Sequence, residues 1–168
     1  MSDGRTSKLV QIFGEHCVIA ELSRRGLIAA AFSQQIPAYD IVATDERGKS
    51  VLIQVKASRS GSWQLAPITK WLEIKFDGDR QIPEKATPEP INRLIVVFVQ
   101  MGEGSGSDKF YILRWNQLQK ILIQEYTAYL EKHHFKRPKK PQSLHVSIYR
   151  QSLVPWENKW DIITENLK

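Results

Sequence analysis

Polar and apolar positions change period along the first third of the chain. Across residues 7–27 the apolar residues recur at helical spacing, and Ile12, Val18, Ile19 and Leu22 fall at i−3, i+3, i+4 and i+7 from Glu15. The pattern predicts an amphipathic helix with a carboxylate inside its apolar stripe. Two β-rich runs follow, 41–44 and 51–55, separated by the turn signal Asp45-Glu46-Arg47-Gly48-Lys49. Gly48 suits the left-handed position of a three-residue hairpin loop. Pairing Asp45 with Lys49 sets Thr44 against Ser50, Val42 against Leu52 and Asp40 against Gln54. Alternation then gathers Asp40, Gln54 and Lys56 on one face and Ile41, Ala43, Val51, Ile53 and Val55 on the other.

Further along, residues 93–100 form an apolar strand, 101–108 a Gly/Ser-rich turn and 109–113 the partner strand. Asn116 is placed to cap a helix running to Lys132, on which Leu118, Ile121, Leu122, Glu125 and Tyr129 fall at helical spacing. Residues 144–150 alternate as a strand, and 156–166 predict a short terminal helix anchored by Trp156 and Trp160, four apart. Residues 70–76 are compatible with a strand or a short helix. The polar, proline-rich stretch 77–90 is expected to be a substrate-facing loop, with Asp77-Gly78-Asp79 as a turn. Trp63 is expected to pack.

A carboxylate, an amide oxygen and an ammonium on one strand face are what metal-assisted phosphodiester hydrolysis asks for. They are equally what a solvated hairpin face carries. Glu15 adds to the first reading. A carboxylate buried without a partner costs more than the roughly 2–7 kcal/mol of a neutral polar group, so it calls for a metal or a lysine, unless it reaches solvent at the stripe's edge. Gly14 before it would let a neighbouring backbone or ligand come close, at a helix cost of about 1 kcal/mol relative to Ala.

Gly14-Glu15 on a helix, Pro37-Ala38-Tyr39-Asp40 opening a strand and Gln54-Val55-Lys56-Ala57-Ser58 on the next resemble the PD-(D/E)XK nuclease superfamily. The similarity spans residues 8–60 and is nearest to the Holliday-junction-resolvase-like and small homing-endonuclease-like members. It implies a single α/β domain over residues 1–168, with a restriction-endonuclease-like αβββαβ core and a central mixed sheet flanked by helices. It also implies a Mg²⁺-dependent DNA endonuclease, with Mn²⁺ as a possible substitute. Glu15, Asp40, Gln54 and the Val55 carbonyl would be the metal ligands, and Lys56 would join the three side chains as the catalytic lysine. Two departures stand out: the proline is displaced from the aspartate, and Gln54 takes the place of the second acidic ligand, removing one negative charge. The alternative is a nuclease-fold DNA-binding or recombination-accessory protein without catalysis.

A formal net charge of +6 and a pI near 9.5 favour an anionic partner, here DNA, duplex or branched. Lys132, Lys136, Arg137, Lys139 and Lys140 crowd one proline-containing stretch with His133 and His134, and these basic residues, with Arg59, are the candidate phosphate contacts. A solubilising loop is the other reading of that stretch. The histidines have no ligand-set spacing. Cys17 is the only cysteine, which excludes an intrachain disulfide and suits a reducing cytoplasm. The apolar run 94–99 is far short of the ~20 residues of a membrane span. Cutting both strands with one site per chain implies a homodimer or higher homo-oligomer.

Overall fold

The computed structural model describes residues 4–32 and 38–168. The N-terminal helical pattern forms α1 (Gly4–Arg24). Gly26, at φ 79°, closes it: its N–H reaches Ser23 O at 3.0 Å while Leu27 N–H reaches Leu22 O at 3.1 Å. This paired closure needs a left-handed residue, which glycine supplies at least cost.

Five strands make the central sheet: β1 (Ile28–Ala31), β2 (Ile41–Thr44), β3 (Ser50–Ser58), β7 (Ile95–Gln100) and β8 (Lys109–Arg114), in the order β1-β2-β3-β7-β8. All neighbours are antiparallel except β3 and β7, so the sheet is mixed. The β2–β3 hairpin has the expected register, Thr44 with Ser50 and Val42 with Leu52. Gly48 sits at φ 78°, and Asp45 Oδ1 accepts N–H groups of Arg47 and Lys49 at 3.0 and 2.9 Å, which holds the turn. Strand β1, not foreseen, pairs with the outer side of β2.

Between β3 and β7 the chain forms β4 (Ser62–Gln64), a 3-10 turn and a hairpin of β5 (Leu72–Asp77) and β6 (Arg80–Ala86). No helix occupies that crossover, a difference from the expected αβββαβ order. Helix α2 (Trp115–Lys132) instead follows β8 directly, and Gln117 Oε1 accepts the Arg114 N–H at 2.8 Å, so the helix starts at Trp115 rather than being capped by Asn116. Strand β9 (Ser147–Tyr149) pairs with β4, and α3 (Arg150–Leu153) and α4 (Asp161–Asn166) complete the chain.

Alternation along β3 divides the apolar interior into two layers. Ile53 and Val55 face α1 and α4, meeting Val18, Leu22, Ile162 and Ile163. Leu52 faces the other layer, where Trp63, Phe98, Tyr111, Leu118 and Leu122 pack beneath α2. The α/β class and the helices on both faces are as expected, and Trp63, only 3% exposed, packs.

The reading of 77–90 as a loop is corrected: β6 occupies half of it. Gln81 is fully buried, its amide donates to Pro141 O and Ser143 O at 2.5 and 3.0 Å, and it accepts the Tyr126 hydroxyl at 2.6 Å. These partners lie 45 to 62 residues away, so the segment alone does not reveal its anchor. Residues 77–80 form the expected turn, with Gly78 at φ 56°. The terminal helix is shorter than expected, beginning at Asp161 after a 3-10 turn.

Candidate active site

Strand β2 leaves β3 just where the sequence places its chemistry. The Asp40 N–H reaches Ile53 O at 2.9 Å, but Asp40 O turns to Phe32 N–H at 3.2 Å, so the ladder ends there. Asp40 and Gln54 therefore are not a continued ladder pair. The Asp40 carboxylate instead accepts the Val55 N–H at 2.7 Å through Oδ2, taking the bond that the missing strand residue would have made. This is the physical link between Asp40 and the open edge of β3.

The next stretch of that edge is met by α1. Gln11 Nε2 donates to both Glu15 Oε1 and Val55 O, each at 3.0 Å, while Gln11 Oε1 accepts the Ala57 N–H at 3.3 Å. Two oxygens, a carboxylate and a carbonyl, thus converge on one amide nitrogen. The orientation is dictated by the partners: reversed, the amide would set oxygen against oxygen and donor against the Ala57 donor. Gln11 was not singled out from the sequence. Its only local signal is its place four residues before Glu15, on the same helix face.

Glu15 itself is corrected in one respect. The buried line of α1 is Val10, Gly14, Val18 and Leu22, and Glu15 lies half-buried on its flank, while Ile12 is 40% exposed. Helix α1 covers the Val55 face of the sheet, and Lys56, by alternation, projects to the other. The two meet around the open edge rather than across one face. Their charges still interact: Lys56 feels both Asp40 and Glu15.

Gln54 turns its Nε2 to Ala38 O at 3.2 Å, beside Asp40. Lys56 is half-buried at the junction of two cavities. One, of about 410 Å³, is lined by Gln54, Lys70 and the stacked pair Trp71 and Trp115; the other, of about 550 Å³, by Gln11, Ser58 and Arg59. Burial pushes the Lys56 ammonium down from its ordinary pKa, Asp40 pulls it back and Lys70 pushes it further down. Burial raises the Asp40 carboxyl, against the opposing Val55 hydrogen bond and Lys56 charge. Pro37 lies outside the described residues.

The candidate phosphate contacts divide. Arg59, Lys132, Lys139 and Lys140 are exposed. Lys136 pairs with Asp79 at 2.6 Å, tying the tract to the β5–β6 turn. Arg137 is half-buried and donates to Ser143 O and His145 O at 3.1 and 2.7 Å, with its guanidinium 5.3 Å from the Tyr129 ring, so it first of all holds the loop. A wholly solvated loop is thereby corrected to a partly fastened one.

No family model and no curated protein matches the chain. Among solved structures it is similar to Hjc, a Holliday junction resolvase of Archaeoglobus fulgidus, with a TM-score of 0.49 and 12% identity over 92% of this chain and 95% of that one. It is also similar to the bacterial homing endonuclease I-Ssp6803I, with a TM-score of 0.42 and 15% identity over 67% and 72% of the two chains. No helix among the described residues is long and apolar enough to cross a membrane.

Among the described residues no three His, Cys, Asp or Glu side chains gather as a ligand set. What the β3 edge brings together is the Asp40 carboxylate on the Val55 N–H and, through Gln11, the Glu15 carboxylate beside the Val55 carbonyl, while the Gln54 amide turns to Ala38 O. Carboxylate and carbonyl oxygens are the donors that hard divalent cations take, and the Gln11 amide sits between two of them, Glu15 Oε1 and Val55 O. Gln11→Glu should therefore lower the thermal midpoint of the metal-free protein, since it faces Glu15 with a like charge and strips Val55 O of its donor. Mg²⁺ should raise the midpoint of this variant more than that of the wild type. Scanning calorimetry with and without Mg²⁺ checks this, and equal metal-induced shifts would remove Gln11 from the site.

Proposed function

We propose that this chain is a divalent-metal-dependent DNA endonuclease that hydrolyses phosphodiester bonds at the open edge of β3. The observation that carries the reading is the convergence there of Asp40, Val55 O and, through Gln11, Glu15, with Lys56 one residue further along. Glu15, Asp40, Gln54 and the Val55 carbonyl would hold Mg²⁺, for which Mn²⁺ substitutes. When bound, the ion supplies Lewis acidity toward a phosphate oxygen and a more acidic water.

The chain's own groups do the rest. Asp40 is held by the Val55 N–H, so its position is set before any ligand arrives. Lys56, its proton affinity reduced by burial, orients the attacking water or takes its proton, and offsets charge developing on the phosphate. Gln11 is a positioning residue that ties Glu15 to the strand edge. Gln54 contributes an oxygen without a charge, so metal affinity is lower than with a carboxylate there. A homodimer would provide one such edge for each strand of duplex or branched DNA.

Cleavage of supercoiled plasmid and of branched oligonucleotides should require Mg²⁺ or Mn²⁺ and stop in EDTA. Gln54→Glu should keep or raise metal affinity, although it loses the donor to Ala38 O, and Gln54→Ala should weaken metal binding and cleavage several-fold. Cleavage indifferent to EDTA would overturn the proposal. So would a wild type that binds DNA without cutting it and recovers only as Gln54→Glu, the behaviour of a decayed site.

A further inference from the structure

Four cavities adjoin one another in series through shared lining residues. Lys56 and Gln64 line both cavities beside the proposed site, and Gln64 also lines a third, of about 460 Å³, with Tyr129, Tyr149 and Arg137. Tyr129, Arg137 and His145 continue into a fourth, of about 470 Å³, walled by Lys139 and Lys140. A hydrogen-bond chain follows the middle of this series: Ser147 Oγ donates to Gln64 Oε1 at 2.9 Å and lies 3.3 Å from His145 Nε2. Adjoining cavities thereby lead from the basic tract to Lys56, with Gln64 between the last two steps.

The lining decides what fits them. Lys139, Lys140, Arg137, Lys56, Lys70 and Arg59 supply cations. Glu125, a carboxylate in the same wall, accepts the Ser152 hydroxyl. Tyr149 and Tyr129 are large apolar side chains left 54% and 36% exposed, and Tyr129 stacks obliquely on His133 at 4.7 Å. Cations at both ends with exposed rings between them match a strand whose phosphates meet the charges and whose bases stack on aromatic faces. A duplex keeps its base faces stacked inside, so it would offer neither tyrosine a base to stack on.

We infer that this series of cavities guides an unpaired DNA strand from Lys139 and Lys140, over Tyr129 and Tyr149, to Gln64 and Lys56, so that the substrate is DNA with a single-stranded arm. This rests on the nuclease reading only for what happens at the end of the path. Binding is therefore measured in EDTA, where no metal-dependent cleavage occurs, by fluorescence anisotropy with labelled oligothymidylate and with a duplex of equal length.

Oligothymidylate should bind more tightly than duplex. Tyr149→Ala and Tyr129→Ala should each weaken its binding about 5- to 150-fold, as expected for loss of one base–aromatic stack, while leaving duplex binding unchanged. Tyr149→Phe should retain binding, which separates stacking from loss of fold. Lys139→Ala combined with Lys140→Ala should reduce the salt slope by about 1.4, the contribution of two phosphates on a single strand. Duplex bound as well as oligothymidylate, or tyrosine variants that lose nothing, would overturn the inference even if plasmid cleavage is intact. Tyrosine-dependent strand binding without cleavage in Mg²⁺ would uphold the strand path and remove the nuclease.

Discussion

Lys56→Met is expected to reduce phosphodiester cleavage by roughly 10²–10⁴-fold and, in the absence of metal, to make the fold more stable. The first effect follows from removing the group that handles water at the proposed site. DNA binding should change little, because one lysine is a small part of a contact spread over many phosphates. The second effect follows from desolvation. Lys56 belongs to none of the ion pairs among the described residues, and burial lowers its pKa despite Asp40 and Glu15 nearby. Methionine keeps the length and apolar contacts of the stem without the buried charge. A gain of about 2–4 °C in thermal midpoint corresponds to about 1 kcal/mol in a domain of this size.

The pH dependence of that gain has a definite sign. The folded-state pKa of Lys56 lies below its ordinary value of 10.5, so between the two the unfolded chain binds more protons than the native one. Wild-type stability contributed by this group therefore rises with pH across that window, and the advantage of Lys56→Met shrinks toward it. Below the folded pKa the cost of the buried ammonium is present in full. Thermal melts in EDTA at several pH values, with plasmid cleavage in Mg²⁺, test both halves. A variant that cleaves like the wild type removes Lys56 from catalysis, and one less stable at every pH shows that the ammonium is satisfied.

The hairpin was legible because its information is local. Gly48 and Asp45 determine the turn, and the turn determines the register from Ser50 back to Thr44. What lay beyond local reach were features fastened by distant partners. Strand β6 was obscured by Pro83 and by charged residues, and its anchor, Gln81, depends on Tyr126 and on the loop at 141–143. Strand β1 is short, and its partner β2 already had an assigned neighbour in β3. Arg137 looked like one more surface cation because its carbonyl partners, Ser143 and His145, form their cage only in the folded loop.

Within the candidate site, the sequence names residues but not how they approach one another. Alternation correctly joins Gln54 to Lys56, yet it cannot show that β2 departs at Asp40 and leaves Val55 to a side chain. Nor does helical spacing show that α1 reaches the strand edge from the opposite face, with Gln11 as the bridge. A glutamine four residues from a glutamate is an ordinary helix-surface pair, and only its bonds to the Val55 carbonyl and the Ala57 N–H, which β2 does not reach, give it meaning.

Gly14 is the exception, a residue whose reason was partly visible in sequence and whose consequence is large. A Cβ built on it would lie 2.5 Å from the Ala57 Cβ, far inside contact distance, and neither atom has a flexible chain to swing aside. Gly14→Ala gains about 1 kcal/mol of helix propensity. Overpacking costs about 1–3 kcal/mol or more, and a contact this short belongs at the upper end. The net expectation is a fall of roughly 4–8 °C in thermal midpoint, about 2 kcal/mol for a domain of this size. Relief by displacing α1 would also lengthen the Gln11 bonds to Val55 and Ala57 and carry Glu15 away from the edge. Metal binding should therefore weaken in the folded variant, beyond what its stability loss explains. Ala57→Gly removes the opposing Cβ, so the double variant should recover both stability and metal affinity, less about 0.5–1 kcal/mol for a glycine within a strand. Calorimetric melts and Mn²⁺ titrations of the three variants decide the matter, and independent, additive effects of Gly14→Ala and Ala57→Gly would show that α1 does not depend on this contact for its place.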